Sequence, residues 1–277
     1  MHVHPWTREF IEKVPPLMDA LHFFRTDPTT LPKTNEDLLR EMDQAGVKKA
    51  VLLGHGNDTI EKPVWKNYRM TNEQLRRLVD MAPDRFVGFL GVDPHRGLEA
   101  VRELEHAVTD LGLRGMKVHA PVIEVYPNDE KLMYPLYEKC VELDIPVIHH
   151  TGTTGLGRCK IKYSHPVFLD DVAQDFPELR ILCAHFGWPW LEETLAIATR
   201  NPNVYLDVSG WSPRYLPATL VQYMNGLLKE KVLFGTDYPM FRMPMWMEHF
   251  EKSLKAQMKP ENVPRLLSEN AEQFLSG

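Results

Sequence analysis

Ile145-Pro-Val-Ile-His-His150 is a short apolar run, rich in β-branched residues, that ends on two imidazoles. That is the composition of a strand buried on both faces, with polar side chains delivered at its exit. Runs of the same kind lie on either side of it. Met1-His-Val-His-Pro5 carries His2 and His4, Ile181-Leu-Cys-Ala-His185 ends on His185, and Val232-Leu-Phe-Gly-Thr-Asp237 ends on Asp237. Between the runs the apolar spacing turns helical. Residues 35–46 lead into Lys49-Ala-Val-Leu-Leu-Gly54, 72–81 into 86–92, 98–111 into 114–119, and 131–143 into the opening run. Residues 167–176, 191–199 and 216–229 repeat the step ahead of 179–184, 203–208 and 231–236. About eight strands alternating with helices predict a (β/α)8 TIM barrel, a single α/β domain over residues 1–277. A doubly wound open sheet would also alternate, but no glycine-rich phosphate loop follows the first strand. The proline- and aromatic-rich segment 6–34 has no clear period and reads as a long loop, suited to a lid or a subunit contact. Residues 261–275 read as closing amphipathic helices.

Composition narrows the function class. The 277 residues are 43% hydrophobic and 25% charged, enough for a substantial core. Lys plus Arg number 32 against 38 Asp plus Glu, a net charge of -6, so a nucleic-acid surface is not expected. There is no apolar segment of membrane-spanning length and no signal-peptide pattern, so a soluble, cytoplasmic protein is expected. Cys140, Cys159 and Cys183 are odd in number and lack CxxC spacing, which suits reduced thiols, with Cys183 a small core residue. Neither a Walker loop nor a Gly-x-Ser-x-Gly nucleophile elbow is found.

The barrel reading places all the terminal side chains at one mouth. His2 and His4 alternate in an extended chain and face the same way. With His150 and the Asp237 carboxylate they make a borderline donor set for one divalent transition metal, Zn²⁺ foremost, with Mn²⁺, Fe²⁺ or Co²⁺ as alternatives. An open coordination position would remain for water or substrate. His149 and His150 face opposite ways, and His150, directly before Thr151-Gly152, is taken as the inward one. His185 is either a further ligand or the general base beside a metal-bound water, and the base is the preferred role. Lys117 and His119 share a face of the fourth strand and are expected to contact substrate, Lys117 as the cation for a carboxylate. Arg158, Trp188 and Tyr238 are assigned to substrate binding by position, with Trp6, His55, Asp93, Trp211 and Arg242 as further strand-end candidates. Their aromatic content suits a flat or cyclic compound, and Arg158 or Arg242 could grip a carboxylate bidentately.

Taken in order, His2-Val-His4, Pro146-Val-Ile-His-His-Thr-Gly152, Ala184-His-Phe-Gly187 and Phe234-Gly-Thr-Asp-Tyr-Pro239 resemble the amidohydrolase superfamily across essentially the whole chain. They are most similar to the amidohydrolase-related branch of aminocarboxymuconate-semialdehyde decarboxylase, aromatic-acid decarboxylases and small-lactone hydrolases. The resemblance implies a single metal held by His2, His4, His150 and Asp237, with His185 acting near its water. It further implies that Asp207 supports a metal ligand without itself binding the metal, and that the protein is a homodimer. Other branches carry a carboxylated lysine that bridges two metals, a role Lys117 could fill. One departure is that family members have apolar and acidic residues ahead of the HxH, whereas here His2 follows Met1 directly. The expected activity is metal-dependent hydrolysis of a lactone, ester or amide in a small cyclic or aromatic carboxylated compound. The alternative is non-oxidative decarboxylation of a hydroxylated aromatic or muconate-type acid, and a non-catalytic barrel is the third reading.

Overall fold

In a computed structural model of the chain, residues 2–56, 65 and 68–276 are described. Among the described residues eight strands run parallel: β1 (His2–Val3), β2 (Ala50–Leu53), β3 (Phe86–Phe89), β4 (Met116–Val118), β5 (Val147–His150), β6 (Ile181–Ala184), β7 (Val204–Asp207) and β8 (Val232–Leu233). They form two arcs, β1-β2-β3 and β4-β5-β6-β7-β8. Isolated parallel bridges, Leu90 to Met116 and Val3 to Tyr238, join the arcs at both seams. At the first seam the Lys117 amide donates to the Leu90 carbonyl at 2.8 Å. At the second, the His4 amide donates to the Tyr238 carbonyl at 2.8 Å and the Asp237 amide to the His2 carbonyl at 3.0 Å. These contacts complete the TIM barrel.

The period of two along each strand sorts side chains to the two faces of the cylinder. Val51, Leu53, Phe89, Ile148, Leu182, Tyr205 and Leu233 pack together inside it, with Phe274 from the C-terminal helix below. Their sequence neighbours, among them Leu52, Val147, Cys183 and Leu206, belong to the larger core under the surrounding helices. His150 follows Ile148 by two and therefore shares the inward face. His149 shares the outward face of Val147, where its Nε2–H donates to the Tyr137 hydroxyl at 3.1 Å.

The helices are α1 (Arg8–Glu12), α2 (Pro15–Phe24), α3 (Glu36–Ala45), α4 (Asn72–Asp80), α5 (Leu98–Thr109), α6 (Ala120–Ile123), α7 (Tyr134–Glu142), α8 (Phe168–Asp175), α9 (Leu191–Arg200), α10 (Ala218–Met224), α11 (Met243–His249) and α12 (Asn270–Ser276). Local signals set several boundaries. Gly46 ends α3 in the left-handed region at φ 68°, and a reciprocal Thr71–Gln74 capping box starts α4. The segment expected as a long loop instead contains α1 and α2. Thr7 caps the first and proline opens the second. Ile11, Val14, Leu17, Ala20 and Leu21 join Trp6, Leu31, Trp65, Tyr68, Leu156 and Met240 in a separate small core at the barrel mouth. The prolines that obscured the periodicity mark helix starts. Cys140 and Cys183 are buried, and none of the three cysteines is in a disulfide among the described residues. Among the described residues no helix is long and apolar enough to cross a membrane.

Candidate active site

Chain topology brings the predicted polar residues to the carboxyl ends of the strands. His2 lies on β1 and His4 just beyond it, His150 ends β5, His185 follows β6, Asp207 ends β7, and Asp237 lies four residues past β8. His185 and Asp237 take positive φ values of 61° and 63°, a conformation that costs a side-chain-bearing residue about 1–3 kcal/mol and persists only where surrounding contacts fix it. Those contacts are present. The Asp207 carboxylate accepts the His185 amide at 2.8 Å, and the Asp237 amide is held by the His2 carbonyl.

Hydrogen bonds assign the imidazole tautomers. Asp207 is fully buried and its Oδ1 accepts from the Ser209 amide at 3.0 Å and the Ser209 hydroxyl at 2.5 Å, besides the His185 amide. Its Oδ2 accepts from His2 Nδ1 at 3.0 Å, so the His2 proton is on Nδ1 and Nε2 carries a lone pair. Lys117 Nζ donates toward that lone pair from 3.4 Å. The Ser209 carbonyl accepts from His185 Nδ1 at 3.0 Å, which leaves His185 Nε2 bare as well. His2 Nε2 and His4 Nε2 lie 3.5 and 3.1 Å from Asp237 Oδ1.

Electrostatics keeps the rings neutral. Burial, reinforced by the Lys117 ammonium, pushes His2 down to about 3. Burial also holds His4, His55, His119 and His150 well below their ordinary value. Burial lowers Lys117 to about 8 against the opposing pull of Asp207 and Asp237. Burial disfavours a charged Asp207, yet the adjacent His2 ring and the serine donors leave it below the usual carboxylate range.

This donor set fits a divalent cation. A neutral His2 with Nδ1 protonated presents a lone pair to Asp237 Oδ1, two acceptors buried face to face, which a cation between them would satisfy. Ligand atoms of His2, His4 and Asp237 lie within 4.8 Å of one another. His150 Nε2 is buried with no hydrogen-bond partner, as an unused ligand atom would be. Its ring stands 4.8 Å from that of His185 and stacks at 4.2 Å on His119.

His4, His119, His150, His185 and Asp237 open together into a cavity of about 300 Å³. Trp6, Phe24, Leu156, Trp211, Tyr215 and Phe241 supply apolar wall, and no Lys or Arg lines it among the described residues. Of the residues assigned to substrate, His119 is on this wall. Lys117 lies beneath it, beside a separate void of about 20 Å³. Arg158, Trp188 and Tyr238 are not among the lining residues. Arg158 is exposed, because the loop after β5 turns it outward at φ 65°. Trp188 packs on Trp211 at 5.1 Å, behind the wall. Tyr238 is buried on the far side of the β8–β1 seam with Arg242 and Glu41. Arg242 is likewise tied to Glu41 and to the Thr30 carbonyl. Sequence reasoning missed Ala20, Phe23 and Phe24, because the turn they occupy in α2 was read as loop. The paired phenylalanines that close the apolar stretch 17–24 were the available signal.

Residues 1–276 match the Amidohydrolase family, and the chain belongs to it. Enzymes of this superfamily use a divalent metal, and the chain is an enzyme. Among curated proteins it is similar to a 2-keto-4-carboxy-3-hexenedioate hydratase from Sphingobium, 29% identical over 42% of this chain and 39% of the relative, so the match spans about two fifths of that protein. It is also similar to a gamma-resorcylate decarboxylase from Polaromonas, 23% identical over 67% of this chain and 69% of the relative. Among solved structures, an uncharacterized TIM-barrel protein from Bordetella bronchiseptica superposes with a TM-score of 0.75 at 27% identity, covering 97% of this chain and 89% of that one.

Proposed function

We propose that the protein is a metal-dependent carboxy-lyase that decarboxylates a hydroxylated, single-ring aromatic acid, with His2, His4, His150 and Asp237 as metal ligands. This reverses the order of the two activities expected from the sequence. The observation that carries it is the pairing of the ligand cluster with an aromatic-walled cavity of about 300 Å³ whose described wall has no cation. Loss of CO₂ turns an anionic carboxylate into a neutral molecule, so an apolar wall without Lys or Arg, which leaves the carboxylate's charge to the metal alone, favours departure over binding. The volume is at the small end for ligand pockets and matches one ring. The decarboxylase and hydratase among the relatives support a lyase.

The metal, when bound, supplies a positive charge that orients the acid and its neighbouring hydroxyl. His185 holds the proton that replaces the carboxylate. Its Nδ1–H is tied to the Ser209 carbonyl, so exchange takes place at Nε2. With a proton taken from solvent at Nε2, His185 gives H⁺ to the carbon bearing the carboxylate, the C–C bond breaks with its electron pair restoring the aromatic ring, and CO₂ leaves. His119, stacked on His150, and Trp6 flank the ring.

The test is incubation of metal-loaded protein with panels of hydroxybenzoates and of lactones, following CO₂ and acid release separately. CO₂ from a hydroxybenzoate is the expected result. Acid from lactones with no CO₂ from any acid would return the hydrolase reading to first place.

A further inference from the structure

No carboxylate holds His4 Nδ1 as Asp207 holds His2 Nδ1, and Asp237 Oδ1 stands 3.1 Å from His4 Nε2, so the side of the ring that carries the proton is decided by what faces Nδ1. The indole Nε1–H of Trp6 is a donor under all conditions, and it points at His55 Nε2 from 3.0 Å. His55 Nε2 must therefore be an acceptor. The same atom lies 3.3 Å from His4 Nδ1, and two lone pairs would repel there, so His4 Nδ1 carries the proton. A neutral imidazole protonated on Nδ1 has a bare Nε2, and His4 Nε2 is the atom that faces Asp237 Oδ1 at 3.1 Å. The three rings are packed so that none can turn away: His4 stacks on Trp6 at 4.0 Å and 15° and lies nearly parallel to His55 at 5.2 Å and 20°. Trp6, His4 and His55 are each buried.

We propose that Trp6 and His55 are positioning residues that lock His4 in its metal-binding tautomer, a relay from indole to imidazole to imidazole with no charged member. The proposal rests on the metal reading given above. It assigns His55 a role away from substrate, and it makes the indole nitrogen, rather than the indole surface, the essential part of Trp6.

The direct test is the two-bond proton–nitrogen correlation spectrum of metal-free, ¹⁵N-histidine-labelled protein, with His4 assigned by its absence from His4→Gln. His4 should appear as the Nδ1–H form in the wild type. Trp6→Phe keeps a ring on His4 and removes the obligate donor. His55 Nε2 can then carry a proton and donate it to His4 Nδ1, and His4 should move to the Nε2–H form. Divalent metal affinity, measured by chelator competition with Zn²⁺ or Mn²⁺, should fall about 10–100-fold in Trp6→Phe and in His55→Phe. His55→Gln, whose amide oxygen can accept from both neighbours, should recover most of that loss. An Nε2–H His4 in the wild type overturns the proposal, as does wild-type affinity in His55→Phe or weakened affinity with an unchanged tautomer in Trp6→Phe. Failure of the wild type to bind either metal would sink the metal reading instead, while the tautomer spectrum still decides whether the lock exists.

Discussion

Replacing Asp207 by asparagine changes one atom and should disable a metal ligand two strands away. The carboxylate serves four donors. Oδ1 takes the His185 amide, the Ser209 amide and the Ser209 hydroxyl, and Oδ2 takes His2 Nδ1. In Asp207→Asn one oxygen becomes an NH₂ group, and its placement is forced. Turned toward the two backbone amides, it would leave two buried donors unpaired, about 1–3 kcal/mol each, or about 2–6 kcal/mol together. Turned toward His2, it only requires the imidazole to move its proton to Nε2. The second arrangement wins, and His2 then presents N–H where a lone pair is needed. Metal affinity should drop about 10–100-fold, or about 1.4–2.7 kcal/mol, while the metal-free protein remains folded because the Oδ1 bonds survive. Chelator competition measures the affinity and circular dichroism the fold. An Asp207→Asn protein that is folded and binds metal as tightly as the wild type would refute the tautomer assignment of His2 and the fit of the site to a cation.

Three further outcomes are expected. His4→Ala and Asp237→Ala should lose bound metal, whereas His185→Ala should keep it and lose about 10²–10⁴-fold in turnover; metal analysis beside initial rates separates these roles, and equal metal loss in all three would make His185 a ligand. Gly152 sits at φ 78° with an added Cβ only 2.2 Å from the Trp188 carbonyl oxygen, so Gly152→Ala should destabilise by about 3 kcal/mol, as strain and overpacking combine; an unchanged denaturant midpoint would contradict it. His2 and His149 are held near 3 in the fold against an ordinary 6.5, so below pH 6.5 the unfolded chain binds protons that the native chain refuses. The stability these rings allow above pH 6.5 is lost as pH falls toward 3, at about 1.4 kcal/mol per pH unit per ring, and urea midpoints of the metal-free protein should decline through that window rather than stay level.

The barrel was legible because a strand buried on both faces needs a continuous apolar run, and each run here is followed by a polar side chain at its carboxyl end. The same period of two resolves the His149–His150 pair: Ile148 is inside the cylinder, so His150 is too, and His149 is left to the Tyr137 hydroxyl. Residues 6–34 were misread for a physical reason. α1 has only five residues, two prolines open α2, and their apolar side chains pack over the barrel mouth with Trp65, Tyr68 and Met240. Short helices of this kind are stabilised by tertiary contacts that periodicity does not record.

Side chains that bind through the strand ends and side chains that shape the cavity differ in what encodes them. A proposed ligand such as His150 is placed by its strand's register, so its sequence position fixes its direction. Arg158, Trp188 and Tyr238 follow the strand ends by four to eight residues, and there direction depends on loop backbone. Arg158 is turned out by a positive φ, and Tyr238 is committed to the β8–β1 seam, where its carbonyl receives the His4 amide. The seam that closes the barrel therefore also fixes the proposed metal cluster: the two bonds joining His4 to Tyr238 and Asp237 to His2 set the backbone of three of its members at once. A substitution that weakened this seam is expected to disturb the proposed metal binding without touching a ligand.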